Sequence, residues 1–195
     1  MKTSDEQQFN PEQSLKVIDE MISTAKGNYV HSGFFFLLWG WLVSIAALAH
    51  YALAKFTSFD KPYYAWFLLF IGVFLSIWKG IQLNKTEKTY THVDRIQTYT
   101  WIGFLISYII TLVFMKQLNY QLPPLVFILA GYATFLSGIT IKFKPLVWGG
   151  FLMWIGSVVM FLISPENQLL LSPILLFVGY LIPGYILRKK AKENA

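Results

Sequence analysis

The chain contains no cysteine and few charged residues. The lack of cysteine excludes disulfides, thiolate metal ligands and cysteine nucleophiles. Charged residues make up 13% of the 195 residues, whereas 55% are apolar. In a typical soluble domain, about a quarter of the residues are charged. A soluble helical bundle needs a polar surface to cover its core, so the composition predicts an integral membrane protein.

Motifs that carry catalysis are also missing. The sequence has no Gly-x-Ser-x-Gly elbow, no His-Glu-x-x-His and no glycine-rich phosphate loop. His92 and Asp94 lie two residues apart without a third ligand nearby, which favours a solvated helix cap over a metal site. The sequence therefore predicts neither an enzyme nor a cofactor or metal site.

Six apolar stretches are long enough to cross a hydrocarbon core, which takes about 20 helical residues. They are Gly33–Ala54, Pro62–Leu83, Tyr99–Lys116, Leu122–Ile141, Pro145–Ile163 and Leu169–Leu187. Short connections join them, and a Trp-Gly pattern recurs at the start of the odd spans, at Trp39, Trp101 and Trp148. These features predict an all-α polytopic membrane protein with six transmembrane helices, arranged as three sequential hairpins.

Lys and Arg residues are distributed unevenly between the segments that join the spans. If the N-terminus is cytoplasmic, 13 of them lie inside and 3 outside. Because cytoplasmic loops carry the excess of Lys and Arg, both termini are expected in the cytoplasm. The net charge of +6 is then explained by topology, and nucleic acid is not an expected partner. The first apolar run lacks a signal-peptide cleavage site, and the architecture predicts a bacterial cytoplasmic (inner) membrane.

The polar N-terminal region divides into a tail at residues 1–10, predicted to be disordered, and an amphipathic helix at residues 11–27. Asn10 and Pro11 form a helix-start signal, and Gly27 is the predicted stop. The six-helix bundle covers residues 33–187 and a basic cytoplasmic tail covers residues 188–195. The apolar face of the N-terminal helix consists of Leu15, Ile18, Ile22 and Ala25. It is predicted to pack on the protein's own cytoplasmic end or on a partner; lipid is the least favoured surface because its polar face carries several carboxylates.

Small residues recur on one face of the later spans, as at Gly131, Thr134 and Gly138. Such residues let membrane helices approach closely. In the sixth span Pro183 lies near Gly179 and Gly184, and proline removes one intrahelical hydrogen bond. A helix kink or a cavity is predicted there, lined by Tyr132 and Tyr180.

Several segments resemble a family of small six-span bacterial inner-membrane proteins whose activity is uncharacterised. The resemblance rests on Ile22–Lys26 leading into Phe35–Trp41, on Thr91–Ile96, on Phe143–Leu146 and on Gly179–Tyr185. It implies the same topology and location, and no catalytic residue.

Two functional hypotheses follow. The first is a non-catalytic membrane protein that acts through a partner, with residues 11–26 and the loop 84–98 as its docking face; another membrane or cytoplasmic protein and a second copy of the chain are both candidates. The alternative is a facilitated transporter or channel for a small neutral solute, which would use the Pro183 region.

Overall fold

A computed structural model describes residues 11–86 and 92–193, with side chains at 33–82, 92–190, 192 and 193. These ranges are helical and contain no strand. Six helices are long and apolar enough to cross a membrane. The structure thereby confirms the prediction of an all-α chain with six candidate spans.

The helices follow the predicted spans closely. They are α1 (Pro11–Phe56), α2 (Leu68–Thr86), α3 (His92–Val113), α4 (Leu122–Thr140), α5 (Lys144–Phe161), α6 (Pro165–Leu176) and α7 (Ile182–Glu193). A 3-10 helix at Pro62–Phe67 precedes α2, and a π-helical segment at Phe177–Leu181 joins α6 to α7. The sixth span therefore consists of α6, the π segment and α7 together.

Helix α1 is helical from Pro11, the first described residue, and it does not stop at Gly27. It continues without a break to Phe56, over 46 residues, so the prediction of a separate helix ending at residue 27 is wrong. A glycine inside a helix costs only about 1 kcal/mol, which helical residues on both sides of Gly27 outweigh. The side chains of Leu15, Ile18, Ile22 and Ala25, and the tail at residues 1–10, lie outside the described residues.

Two helices start earlier than the hydropathy predicts. Helix α3 begins at His92, where the sequence indicated a cytoplasmic helix start, although its predicted cap Thr91 is outside the described residues. Helix α6 begins at Pro165 rather than Leu169, because proline is well suited to the first helical position. This shift places Gln168 inside a helix and not in a loop.

The core of the bundle is built from α1 and from α4 to α7. Helix α5 packs most extensively on α4, and α1 packs along α6 and α7. Helix α2 packs on α1, and α3 packs on α4, so these two helices lie at the edges of the bundle. The closest pair, α4 and α5, belongs to different predicted hairpins, and the three-hairpin arrangement is therefore not confirmed.

Side-chain contacts identify which helix termini share an end of the bundle. Ser137 near the end of α4 binds Gln97 near the start of α3 at 2.7 Å. We call the end of the bundle that contains this contact the basic end. Eight basic residues whose side chains are described lie there: Lys79, Arg95, Lys142, Lys144, Arg188, Lys189, Lys190 and Lys192.

At the opposite end, Lys55 at the end of α1 pairs with Glu166 at the start of α6 at 3.3 Å. Trp66 Nε1 donates to His50 Nδ1 at 2.9 Å. Both contacts hold the 3-10 helix and α6 against the end of α1.

Candidate functional site in the sixth span

The π-helical segment interrupts the sixth span immediately before Pro183. Proline has no N–H, so the carbonyl of Gly179 has no donor four residues later. The N–H of Ile182 binds the carbonyl of Phe177, five residues back, which is the π-helical pattern. The sixth span is thus irregular beside Pro183, in the form of a π turn at Phe177–Leu181. Short π segments inside α-helices occur frequently at functional sites.

Glycines bring this segment against two neighbouring helices. A Cβ placed on Gly149 of α5 would lie 2.7 Å from the carbonyl oxygen of Gly179, so the two backbones touch directly. A Cβ on Gly184 would lie 2.9 Å from Leu37 Cγ, and one on Gly40 would lie 2.7 Å from Leu181 Cδ2. Gly179, Pro183 and Gly184 are all buried. They serve close packing of the π segment between α1 and α5.

Tyr180 points into the bundle and is 5% exposed. Thr134 donates to the carbonyl of Ala130 at 2.6 Å and lies 3.3 Å from the Tyr180 hydroxyl. Because the threonine hydroxyl has one hydrogen, Tyr180 donates to Thr134 Oγ1. The ring of Tyr180 also meets the ring of Phe36 edge-on at 5.2 Å. Tyr180 therefore joins the π segment to α4 and α1.

Tyr132 does not join this cluster. It is 57% exposed, since it lies two residues before the buried Thr134 on the same helix and two residues place side chains on opposite faces. Among the predicted residues, the structure brings together Gly179, Pro183, Gly184 and Tyr180, and it leaves Tyr132 on the outer surface.

The aromatic cluster extends from Tyr180 to the edge helix α3. Phe36 packs edge-on against Trp101 at 5.8 Å, and Trp101 packs on Phe104 at 5.5 Å. Trp101 and Phe104 are half-buried. These rings link α1 with α3, which otherwise packs on α4.

Several serine hydroxyls inside the spans bind backbone carbonyls or other side chains. Ser44 donates to Gly40 O at 2.7 Å, and Ser157 donates across to Pro124 O at 2.8 Å. Ser76 accepts from Trp39 Nε1 at 3.2 Å. These hydroxyls thus bond back to a carbonyl a turn earlier or across to a neighbouring helix.

Gln168 is a buried polar residue that hydropathy placed in a loop. It is 1% exposed. Its Nε2 donates to Met160 O at 2.9 Å, at the carboxyl end of α5, and to Gln121 Oε1 at 3.0 Å, before α4. Gln168 Oε1 is buried without a partner among the described residues. The spacing of Gln168, Ser172 and Leu175 along one helix face was the sequence signal for its burial.

Neither a metal-binding cluster among the described residues nor a known relative identifies the role of this site. The described ranges contain no group of three His, Cys, Asp or Glu side chains that could hold a metal ion. Comparison of the chain with protein families, curated proteins and solved structures finds no match. Function must therefore be inferred from the residues themselves.

Proposed function

We propose that this chain is a multi-pass protein of the bacterial cytoplasmic membrane that acts, without catalysis, by contacting a partner protein at its cytoplasmic face. The eight basic side chains at the basic end, against Lys55, Lys61 and Lys116 at the opposite end, support a cytoplasmic location of the basic end. The bacterial assignment is supported by the motif resemblance. Both termini then lie in the cytoplasm.

The continuity of α1 is the observation that carries the proposal. Residues 11–32 are helical and run directly into the first span. At 1.5 Å per residue this extension is about 33 Å long. Leu15, Ile18, Ile22 and Ala25 recur on one face of it. A helix continuous with a span, with an apolar stripe in its sequence, is suited to helix-in-groove contact with another protein.

The packing of the bundle interior supports a role at its ends. Leu146, Met153 and Met160 are fully buried, and Thr134, Ser157 and Tyr180 bind one another or backbone carbonyls. Buried polar groups that satisfy each other rigidify a core. Such an interior holds the helices in place and leaves the recognition to residues beyond the spans.

Photo-crosslinking in the native cell tests the proposal. A photoreactive residue placed at Ile18 or Ile22 should give adducts with a second protein species. The same residue at Lys16 or Glu20, on the other helix face, should give several-fold less. Equal yields from both faces, or adducts with this chain's own bundle or with lipid alone, would overturn it. Adducts with the mass of two copies would show that the chain associates with itself and not with a distinct partner.

Facilitated passage of a small neutral solute is the second candidate function. The π segment at Phe177–Leu181 favours it, because interrupted helices line substrate sites in transporters. The direct contact of Gly149 with Gly179 requires that the segment move to open a path. Proteoliposomes that swell no faster in isosmotic small polyols than protein-free vesicles would exclude this function.

A further inference from the structure

In the turn between α4 and α5, Lys142 and Lys144 lie on either side of Phe143 in the sequence, and the ring of Phe143 is buried. Lys142 has a positive φ of 55°; its N–H binds Ile139 O at 3.0 Å, and the N–H of Phe143 binds Gly138 O at 2.8 Å. This is a Schellman motif, in which glycine is the usual residue at the position of Lys142. Phe143 is 2% exposed, while Lys142 and Lys144 are exposed. The two lysines are therefore held in a defined backbone geometry.

A third lysine reaches the same turn from α7. The Nζ of Lys190 lies 5.3 Å from the centroid of the Phe143 ring, a cation–π distance. Helix α7 is held there by Leu187, which is fully buried in the same apolar core as Phe143. Helix α7 thus brings a third lysine to the ring of the residue that lies between Lys142 and Lys144 in the sequence.

These three positive charges are not neutralised by the part of the chain that the structure describes. No ion pair or hydrogen-bonding side chain reaches Lys142, Lys144 or Lys190 in those ranges. The acidic side chains described at this end are Asp94 and Glu193, and Glu193 pairs with Lys189 at 3.6 Å. The cluster around Phe143 therefore complements an anionic group.

Aromatic residues place the cluster at the membrane boundary. Trp148 follows Lys144 by one helical turn, about 6 Å deeper along α5, and is 71% exposed. Trp41 Nε1 donates to the Tyr185 hydroxyl at 3.3 Å, also near the surface. Tryptophan and tyrosine prefer the headgroup level. If an anionic group at the lysines belongs to a molecule that lies in the membrane, the apolar part of that molecule would be beside Trp148.

We propose that Lys142, Lys144 and Lys190 bind the phosphate of an anionic phospholipid, whose glycerol and acyl region lies against Trp148. Basic pockets between membrane helices bind such headgroups. The site depends on the placement of the bundle in a membrane, and it does not depend on the proposed partner.

Lipid binding to the purified full-length protein tests the site. Native mass spectrometry should show preferential binding of phosphatidylglycerol over phosphatidylcholine with the same chains. The variant Lys142→Gly/Lys144→Gln/Lys190→Gln should lose this preference, by about fivefold for each lysine removed. Lys142→Gly alone suits the positive φ, so it should keep the fold, or increase its thermal midpoint, while weakening phosphatidylglycerol binding about fivefold.

A variant with the same change of charge at the opposite end serves as the control. Lys55→Gln/Lys61→Gln/Lys116→Gln should bind phosphatidylglycerol as the parent does. An equal loss in both triple variants would reduce the effect to net charge and overturn the site. Unchanged binding by Lys142→Gly would also contradict it. If inorganic phosphate in phosphatidylcholine protects the protein from heat as strongly as phosphatidylglycerol does, the site takes free anions and not lipid.

Discussion

At the scale of single residues, the amide of Gln168 joins three helices at the end opposite the basic end. Its Nε2 donates to Met160 O in the last turn of α5 and to Gln121 Oε1 just before α4. Water competes little for a group that is 1% exposed, so the Gln168 amide makes these hydrogen bonds within the protein. Gln168 therefore fixes the turn from α5 to α6 in place.

We expect Gln168→Leu to lower the free energy of unfolding by about 1 to 3 kcal/mol, because it removes the hydrogen bonds from Nε2 to Met160 O and Gln121 Oε1. Unfolding by SDS titration in mixed micelles measures the change. The control is Gln117→Leu, since Gln117 is exposed and makes no hydrogen bond in the described ranges; it should unfold as the parent does. Equal stability of the two variants would contradict the role given to Gln168.

At the scale of helices, the glycines of the bundle divide into those that touch a neighbouring backbone and those that do not. Gly149 meets Gly179 so closely that a methyl group would lie 2.7 Å from its carbonyl oxygen. Gly103 on α3 has no neighbour within 4 Å of the same position. Both residues lie inside spans of similar length, so helix propensity acts equally on both.

Gly149→Ala is expected to destabilise the protein by about 1 to 3 kcal/mol, the usual cost of overpacking, because the contact is with backbone that cannot rotate away. Gly103→Ala should be neutral or should stabilise α3 by up to about 1 kcal/mol. Thermal unfolding in detergent compares the two. If Gly103→Ala destabilised the protein as much as Gly149→Ala does, the contact between α5 and the π segment would not be what holds the sixth span in the bundle.

The sequence predicts the spans better than the details of the sixth helix. Leu122–Ile141 was predicted and Leu122–Thr140 is observed for α4, because hydropathy and a proline at the helix start agree there. Gln168 was missed because a single polar residue at a span terminus lowers local hydropathy, whereas its burial depends on acceptors from α4 and α5. The separation of Tyr132 from Tyr180 likewise depends on which face of α4 meets α5.

The helix predicted at residues 11–27 shows that a local signal does not decide where a helix ends. The start predicted at Pro11 rests on a local signal, the Asn10–Pro11 pair. Its end was inferred from Gly27 alone, and a local preference of about 1 kcal/mol does not decide whether a helix continues into a span. Continuity between elements is a property of the chain on both sides of a residue.

At the scale of the whole molecule, α2 and α3 carry large exposed apolar side chains of the kind that a lipid-facing surface needs. Phe70, Phe74, Ile106 and Ile109 are all exposed along these edge helices. A contiguous apolar surface of this extent favours aggregation in water, but in a bilayer it is solvated by acyl chains. The bundle core needs only α1 and α4 to α7, and the edge helices widen the surface that meets the lipid.

Single cysteines test the placement and orientation of this bundle, and the chain has no cysteine of its own to give a background. Ser58→Cys, between α1 and the 3-10 helix, should react with a membrane-impermeant maleimide in intact cells. Lys192→Cys at the basic end should react only after lysis, because basic segments stay in the cytoplasm. Ile106→Cys should stay unlabelled in both, since a thiol in the hydrocarbon core does not form the reactive thiolate. Labelling of Lys192→Cys, and not Ser58→Cys, in intact cells would reverse the orientation, and with it the face at which a cytoplasmic partner would be found.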